Sequence, residues 1–213
     1  MMDELDLLKK DWKRNENSFE QISEIDIYKM LHKKSSSIVK WILIISILEV
    51  LLWTGVSMCL NIDADLKKMV GNDLILYFKA LNYFNYAVII GFIYLFYKNY
   101  IKISTTASTK QLMSDILKTR KTVQYYVWFN LGMIALSMFL GFAMAFFYNP
   151  EMSVIKDKIA HEKGNITLVI TVCVFSLVTI VFIGIFYLFY KLLYGILLKK
   201  LNNNYKELKK IDL

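Results

Sequence analysis

Residues 166–190 read ITLVITVCVFSLVTIVFIGIFYLFY, a run of 25 residues without a charge. A helix rises 1.5 Å per residue, so about 20 apolar residues cover the ~30 Å hydrocarbon core of a bilayer. Buried helices of soluble proteins rarely hold so long an uncharged run. A strand of a membrane barrel would alternate apolar with polar residues, and this run is continuous. Working outward, three more blocks have the same character: Trp41 to Ile62, Ala80 to Tyr97 with an aromatic end reaching Ile103, and Val123 to Tyr148. The fourth block revives after Lys191 as far as Leu198. The reading is an all-α membrane protein, a four-helix transmembrane bundle with spans over 41–62, 80–103, 123–148 and 166–198. The connecting parts are amphipathic helices over 1–40, a helical hairpin over 104–122, a loop over 149–165 and a basic tail over 199–213.

Composition supports this class. Of 213 residues, 56% are hydrophobic and 15% aromatic, against roughly 45–50% apolar in soluble domains. One proline, Pro150, and eight glycines favour helices over a loop-rich or all-β chain. Cys59 and Cys173 both lie in apolar runs without metal-ligand spacing, and read as small hydrophobes rather than a redox pair. The first forty residues are polar and charged, which predicts no cleavable signal peptide.

Orientation follows from the cations. The N-terminal segment, the middle loop and the tail together carry 20 of the 26 lysines and arginines. The positive-inside rule places that side in the cytoplasm, with both termini in (N-in/C-in) and the protein in a bacterial inner membrane. Tyr94, Tyr97, Tyr100, Tyr125, Tyr126, Trp128, Tyr187 and Tyr190 form a predicted inner aromatic belt, and Tyr83, Tyr86 and Tyr148 an outer one.

The cytoplasmic parts read as helical. Leu5, Leu8 and Trp12 share one face of a short helix, with acidic residues in its first turn and Lys9, Lys10, Lys13 and Arg14 in its last. Ser23 is a plausible N-cap for a second helix carrying Tyr28 and Leu31, and no breaker separates that helix from the first span. Ser108 and Gln111 fit a capping box opening the return arm of the hairpin, which shows Leu112, Met113, Ile116 and Leu117.

Glu49 is the most unusual residue. It lies eight residues past Trp41, hence about 12 Å into the bilayer. An ionisable group there is costly and is a functional hypothesis by default. It serves either as a proton sensor or switchable contact, or as a structural group that fixes helix register, and the structural role is favoured. Asn130 and Tyr94 come to similar depth on neighbouring spans, so Glu49, Tyr94 and Asn130 are predicted to form an intramembrane polar cluster. Asn82 and Asn85 read as interhelical glue. Ser137, Gly141 and Ala145 form a small-residue stripe suited to close helix packing, within the bundle in preference to dimerisation.

Three strings carry a family resemblance: DLLKKDW (6–12), EIDIYKMLHKKSSSIVKWILIISILE (24–49) and STKQLMSDILKTRKTVQYYVWFN (108–130). They resemble a family of four-span membrane proteins from Flavobacterium-like Bacteroidota, over most of the chain. Proteins of that family often bear the inherited label beta-carotene 15,15'-monooxygenase and tend to be encoded beside an extracytoplasmic-function sigma factor. The gene neighbourhood implies an anti-sigma or sigma-regulating role. The oxygenase label fits poorly: carotenoid-cleaving enzymes look like soluble propellers holding iron with four histidines. This chain has His32 and His161 alone, predicted on opposite sides of the membrane.

No catalytic motif, metal set or cofactor loop is present in the sequence, and no enzyme activity or cofactor is expected. The leading expectation is a membrane-anchored regulator that sequesters a cytoplasmic sigma factor through Leu5, Leu8, Trp12, Tyr28 and Leu31; for the Leu5, Leu8 and Trp12 stripe, the membrane surface and docking on the hairpin against Leu112 and Ile116 are the competing contacts. The alternative is a non-catalytic accessory subunit of a larger inner-membrane complex, or a homo-oligomer. The basic tail is expected to touch anionic lipid at the cytoplasmic face rather than nucleic acid.

Overall fold

The structure is a computed structural model and describes residues 23–60, 72–148, 152–161 and 164–211. Among these it has five helices: α1 (Glu24–Cys59), α2 (Asn72–Thr105), α3 (Thr109–Tyr148), α4 (Ser153–His161) and α5 (Gly164–Ile211). All but α4 are long and apolar enough to cross a membrane. α5 has 48 residues, which is about 72 Å of helix and more than twice the hydrocarbon thickness. The other three, at 34 to 40 residues, are likewise longer than a crossing needs.

The four long helices form an up-down ring. α1 packs on α2 and α5, and α3 packs on the same two, while the diagonal pair α1 and α3 touches little. The start of α1, the α2–α3 turn at 106–108 and the end of α5 lie together at one end of the ring. That end is the lysine-rich one.

Ser23 caps α1: its hydroxyl accepts from the Asp26 amide at 3.2 Å and its carbonyl accepts from Ile27. From there α1 runs without a break to Cys59. α3 opens with the Leu112 amide on the Ser108 carbonyl. The buried residues of α3, among them Leu112, Ile116, Thr119, Val123, Tyr126 and Asn130, alternate steps of four and three. Ile89, Phe96 and Ile103 on α2 repeat every seven, as do Tyr194, Leu201 and Leu208 on α5. This is the seam of a left-handed coiled-coil bundle.

Two hydrophobic clusters fill the seam. One holds Leu31, Val39, Ile103, Leu112, Ile116, Leu201 and Leu208 at the lysine-rich end. The other holds Ile42, Ile89, Phe96, Val123, Tyr126, Leu131, Tyr190 and Tyr194. Polar ties run between them: Asn204 donates to Ser35 at 3.0 Å, Arg120 to Asn202 at 2.6 Å, and Asn99 to Thr122 at 3.3 Å. The stretch read as a basic tail is therefore a core helix through residue 211, because Leu201, Asn204 and Leu208 face inward while Lys199, Lys200, Lys206, Lys209 and Lys210 face out. Beyond Glu49, α1 has no buried residue. The ring is closed at the lysine-rich end and looser toward the other, where α4 packs on α5 and Lys156 donates to the Phe147 carbonyl at 2.9 Å.

Candidate functional site

Glu49 follows Ile42 by seven residues and so lies on the buried stripe of α1, with only 7% of its surface exposed. The same register turns Tyr126 of α3 inward, seven past Thr119, and Tyr194 of α5, seven before Leu201. Three tyrosine hydroxyls converge on the carboxylate. Tyr126 donates to Oε2 at 2.9 Å, Tyr194 to Oε2 at 3.0 Å, and Tyr190 to Oε1. One side chain thus ties α1 to both α3 and α5.

The rings are themselves fixed. Tyr126 meets Tyr194 edge-on at 5.8 Å, and Phe92 and Phe96 of α2 each meet it edge-on at 5.5 Å. Tyr190 and Tyr194, one turn apart, stack at 6.2 Å. Asn130 donates to the Tyr126 carbonyl at 2.8 Å. An anion surrounded by hydrocarbon needs several donors to be tolerable, and three hydroxyls supply them. Among the described residues no cation lies within ion-pair distance of Glu49, since the one such pair joins Lys29 to Asp26.

The predicted partners differ from these. Asn130 is buried beside the cluster, but its amide serves the Tyr126 backbone rather than Glu49. Tyr94 is 61% exposed and takes no part. Helical rotation explains it: Phe96 of α2 faces the core, and two residues away the side chain points about 200° around the axis. Tyr126 and Tyr190 leave the aromatic belt and turn inward, whereas Tyr97, Tyr125, Trp128 and Tyr187 remain exposed on its level. Tyr194 escaped sequence reading altogether. Its seven-residue spacing to Leu201 and Leu208 was the available signal.

Above Glu49 lies a cavity of about 470 Å³ bounded by α1, α2, α3 and α5. Glu49, Tyr126 and Tyr190 form its floor, Asn82, Asn85 and Asn130 stand in its wall, and Trp53 and Phe186 cover its apolar side. A second space of about 390 Å³ shares Ser57, Asn82, Asn85, Met133 and Ser137 with it and reaches Lys79. The small-residue stripe belongs here. Ser137 and Gly141 line these spaces, and a Cβ added at Gly141 would meet nothing within 4 Å. The stripe therefore borders a gap and does not seat a neighbouring helix, in contrast to the packing role read from its spacing. Ala145 is half-buried near its end.

Of the predicted partner-binding residues, Tyr28 and Leu31 are used internally. Leu31 is in the core cluster of the lysine-rich end, and Tyr28 packs on that cluster and donates to the Thr106 carbonyl at 3.0 Å. Leu31 is buried, while Tyr28 remains half-buried. Leu5, Leu8 and Trp12 lie outside the described residues. Among those described, no group of three or more His, Cys, Asp or Glu residues could hold a metal ion.

The chain belongs to the family described as a domain of unknown function, DUF8845, whose profile matches residues 25–213. No curated protein and no solved structure matches it.

Proposed function

We propose that this chain is a membrane-anchored regulator. It sits N-in/C-in in a bacterial inner membrane and presents its N-terminal segment to a cytoplasmic partner, an extracytoplasmic-function sigma factor that it sequesters. The observation carrying this reading is mechanical continuity. α1, α2, α3 and α5 each run unbroken from the cavity level through the Glu49 cluster into the lysine-rich bundle. A change at one end is thereby carried to α1, whose capped start at Ser23 follows the Leu5, Leu8 and Trp12 stripe in sequence with ten residues between. The family resemblance supplies the class of partner, and the 20 to 6 split of cations supplies the orientation. With Tyr28 and Leu31 engaged in the bundle, the partner contact narrows to Leu5, Leu8 and Trp12. A short amphipathic segment cannot bury enough surface to fold alone, and on this reading a partner's groove completes it, in preference to the membrane surface or the protein's own hairpin.

The test deletes residues 2–20, or changes Leu8 and Trp12 together to Ala. Transcription of the neighbouring sigma factor's regulon is then measured, alongside a pull-down from solubilised membranes. Derepression and loss of the co-purifying sigma factor are expected. An unchanged transcriptome at normal membrane levels of the protein would refute the reading. The accessory-subunit alternative draws on a different observation: no residue in the most apolar window of α5 is buried, which leaves that face to lipid or to another subunit. Stoichiometric membrane proteins in the pull-down favour that reading.

A further inference from the structure

The cavity above Glu49 has a chemistry of its own. Its volume of about 470 Å³ falls in the range of small-molecule sites, roughly 300–1,000 Å³. Its one ionisable acid is Glu49, set among the hydroxyls and amides of Ser57, Asn82, Asn85, Asn130 and Ser137. Glu49 is an acceptor when ionised, and a carboxylate offers about four lone-pair sites. Three tyrosine hydroxyls occupy three of them. That leaves acceptor capacity for one further donor. Asn85 Oδ1, in the cavity wall, is buried and has no hydrogen-bond partner. It is a second acceptor awaiting a donor.

The remaining wall is apolar, with Val50, Ile89, Ile134 and Met138 beside an aromatic patch. Trp53 and Phe186 lie with ring centres 5.6 Å apart, and Phe182 and Phe186 with theirs 5.7 Å apart. Aromatic faces attract cations, most strongly where water is excluded. An anion would be repelled by Glu49. A single carboxylate is too few ligands for a divalent ion.

We propose that this cavity binds a primary ammonium carried on an apolar body, with Glu49 as its counter-charge, Asn85 Oδ1 as a further acceptor, and Trp53, Phe182 and Phe186 against its hydrocarbon. The ammonium comes either from the headgroup of an aminophospholipid or from a free amphipathic amine. The inference stands apart from the regulator reading, because binding is measured on the purified chain without any partner.

The experiment reconstitutes the full chain in nanodiscs of phosphatidylglycerol and measures equilibrium binding of radiolabelled 4-phenylbutylammonium. The neutral 4-phenylbutanol and the anionic 4-phenylbutyrate are the comparisons. Saturable binding of the amine is expected, with the alcohol at least tenfold weaker and the carboxylate weaker still. Glu49→Gln should weaken the amine at least tenfold and leave the alcohol unchanged. Ser137→Phe, which fills the cavity from α3 without touching the tyrosine cluster, should abolish binding of both, and it keeps the test intact should the Gln variant not fold. Adding phosphatidylethanolamine to the nanodiscs identifies the source: competition assigns the site to the lipid headgroup, and its absence assigns it to a free amine. Amine binding that is the same in wild type and in either variant, or a carboxylate analogue that binds as tightly as the amine, would overturn the proposal.

Discussion

Replacing Glu49 with leucine removes the one acceptor shared by three buried hydroxyls. Interhelical hydrogen bonds in bilayers average about 0.6 kcal/mol, which puts the least loss for three near ~2 kcal/mol. A buried hydroxyl left with no partner costs about 1–3 kcal/mol, which puts the greatest loss near ~9 kcal/mol. Removing the carboxylate also relieves its desolvation, and that offsets part of the damage. The expected loss for Glu49→Leu is therefore about 2–4 kcal/mol. Glu49→Gln should lose no more than about 1 kcal/mol, because its carbonyl accepts from Tyr126 and Tyr194 while its amide donates to a rotated Tyr190 hydroxyl. A fourfold variant, with Glu49→Leu joined to Tyr126→Phe, Tyr190→Phe and Tyr194→Phe, should recover most of the loss, since removing both sides of a buried bond is nearly neutral. SDS-driven unfolding in mixed micelles, followed by tryptophan fluorescence, reads all three. A leucine variant as stable as wild type, or a fourfold variant no better than the leucine variant, would refute the claim that these bonds hold α1 to α3 and α5.

Two further outcomes follow from the bundle. In a chain with the exposed Cys59 and Cys173 changed to alanine, Ser153→Cys should react with an impermeant thiol reagent in cells with a permeabilised outer membrane, and Ser108→Cys should not; the reverse pattern would invert the proposed topology. Ser35→Ala should destabilise by about 1–3 kcal/mol, because it orphans the buried Asn204 amide; adding Asn204→Leu should restore stability, and a double variant weaker than Ser35→Ala would show the pair to be worth more than its single bond.

The spans were legible because bilayer thickness fixes how long an uncharged run must be, and that quantity is read directly along the chain. The closed bundle below them was not. Its inward positions include Ser35, Thr119 and Asn204, and polar residues at seam positions erase the apolar period that would announce a helix core. Between 199 and 210, five lysines outweigh Leu201 and Leu208 by composition, although the spacing of those two leucines already marks one face. Glu49 was legible as an anomaly and as a residue needing partners. Its partners were not, because counting residues from the membrane edge gives depth but not rotation about the helix axis. Depth alone placed Tyr94, Tyr126 and Tyr190 in one belt. Only the seven-residue register separates the two that face inward from the one that faces out.

The position of the tyrosine cluster also decides the direction of any signal passing through it. It is the floor of the cavity and at the same time the last tie of α1 before that helix leaves the packed part of the ring. An ammonium that takes the fourth acceptor site of Glu49 adds a bond without removing one, so it tightens the junction of α1, α3 and α5. Ligand that binds the folded chain alone adds about 2.7 kcal/mol at a hundredfold excess over Kd. On the proposed regulator reading, that energy would reach a partner only to the extent that the tightened bundle and partner binding favour different settings of α1. Coupling of this kind is reciprocal: a partner that loosens its hold when the cavity fills must, by the same factor, weaken the cavity's hold on its ligand. α1 and α5 run unbroken past the cluster, and the loosely packed end above Glu49 is where a ligand can impose such a difference.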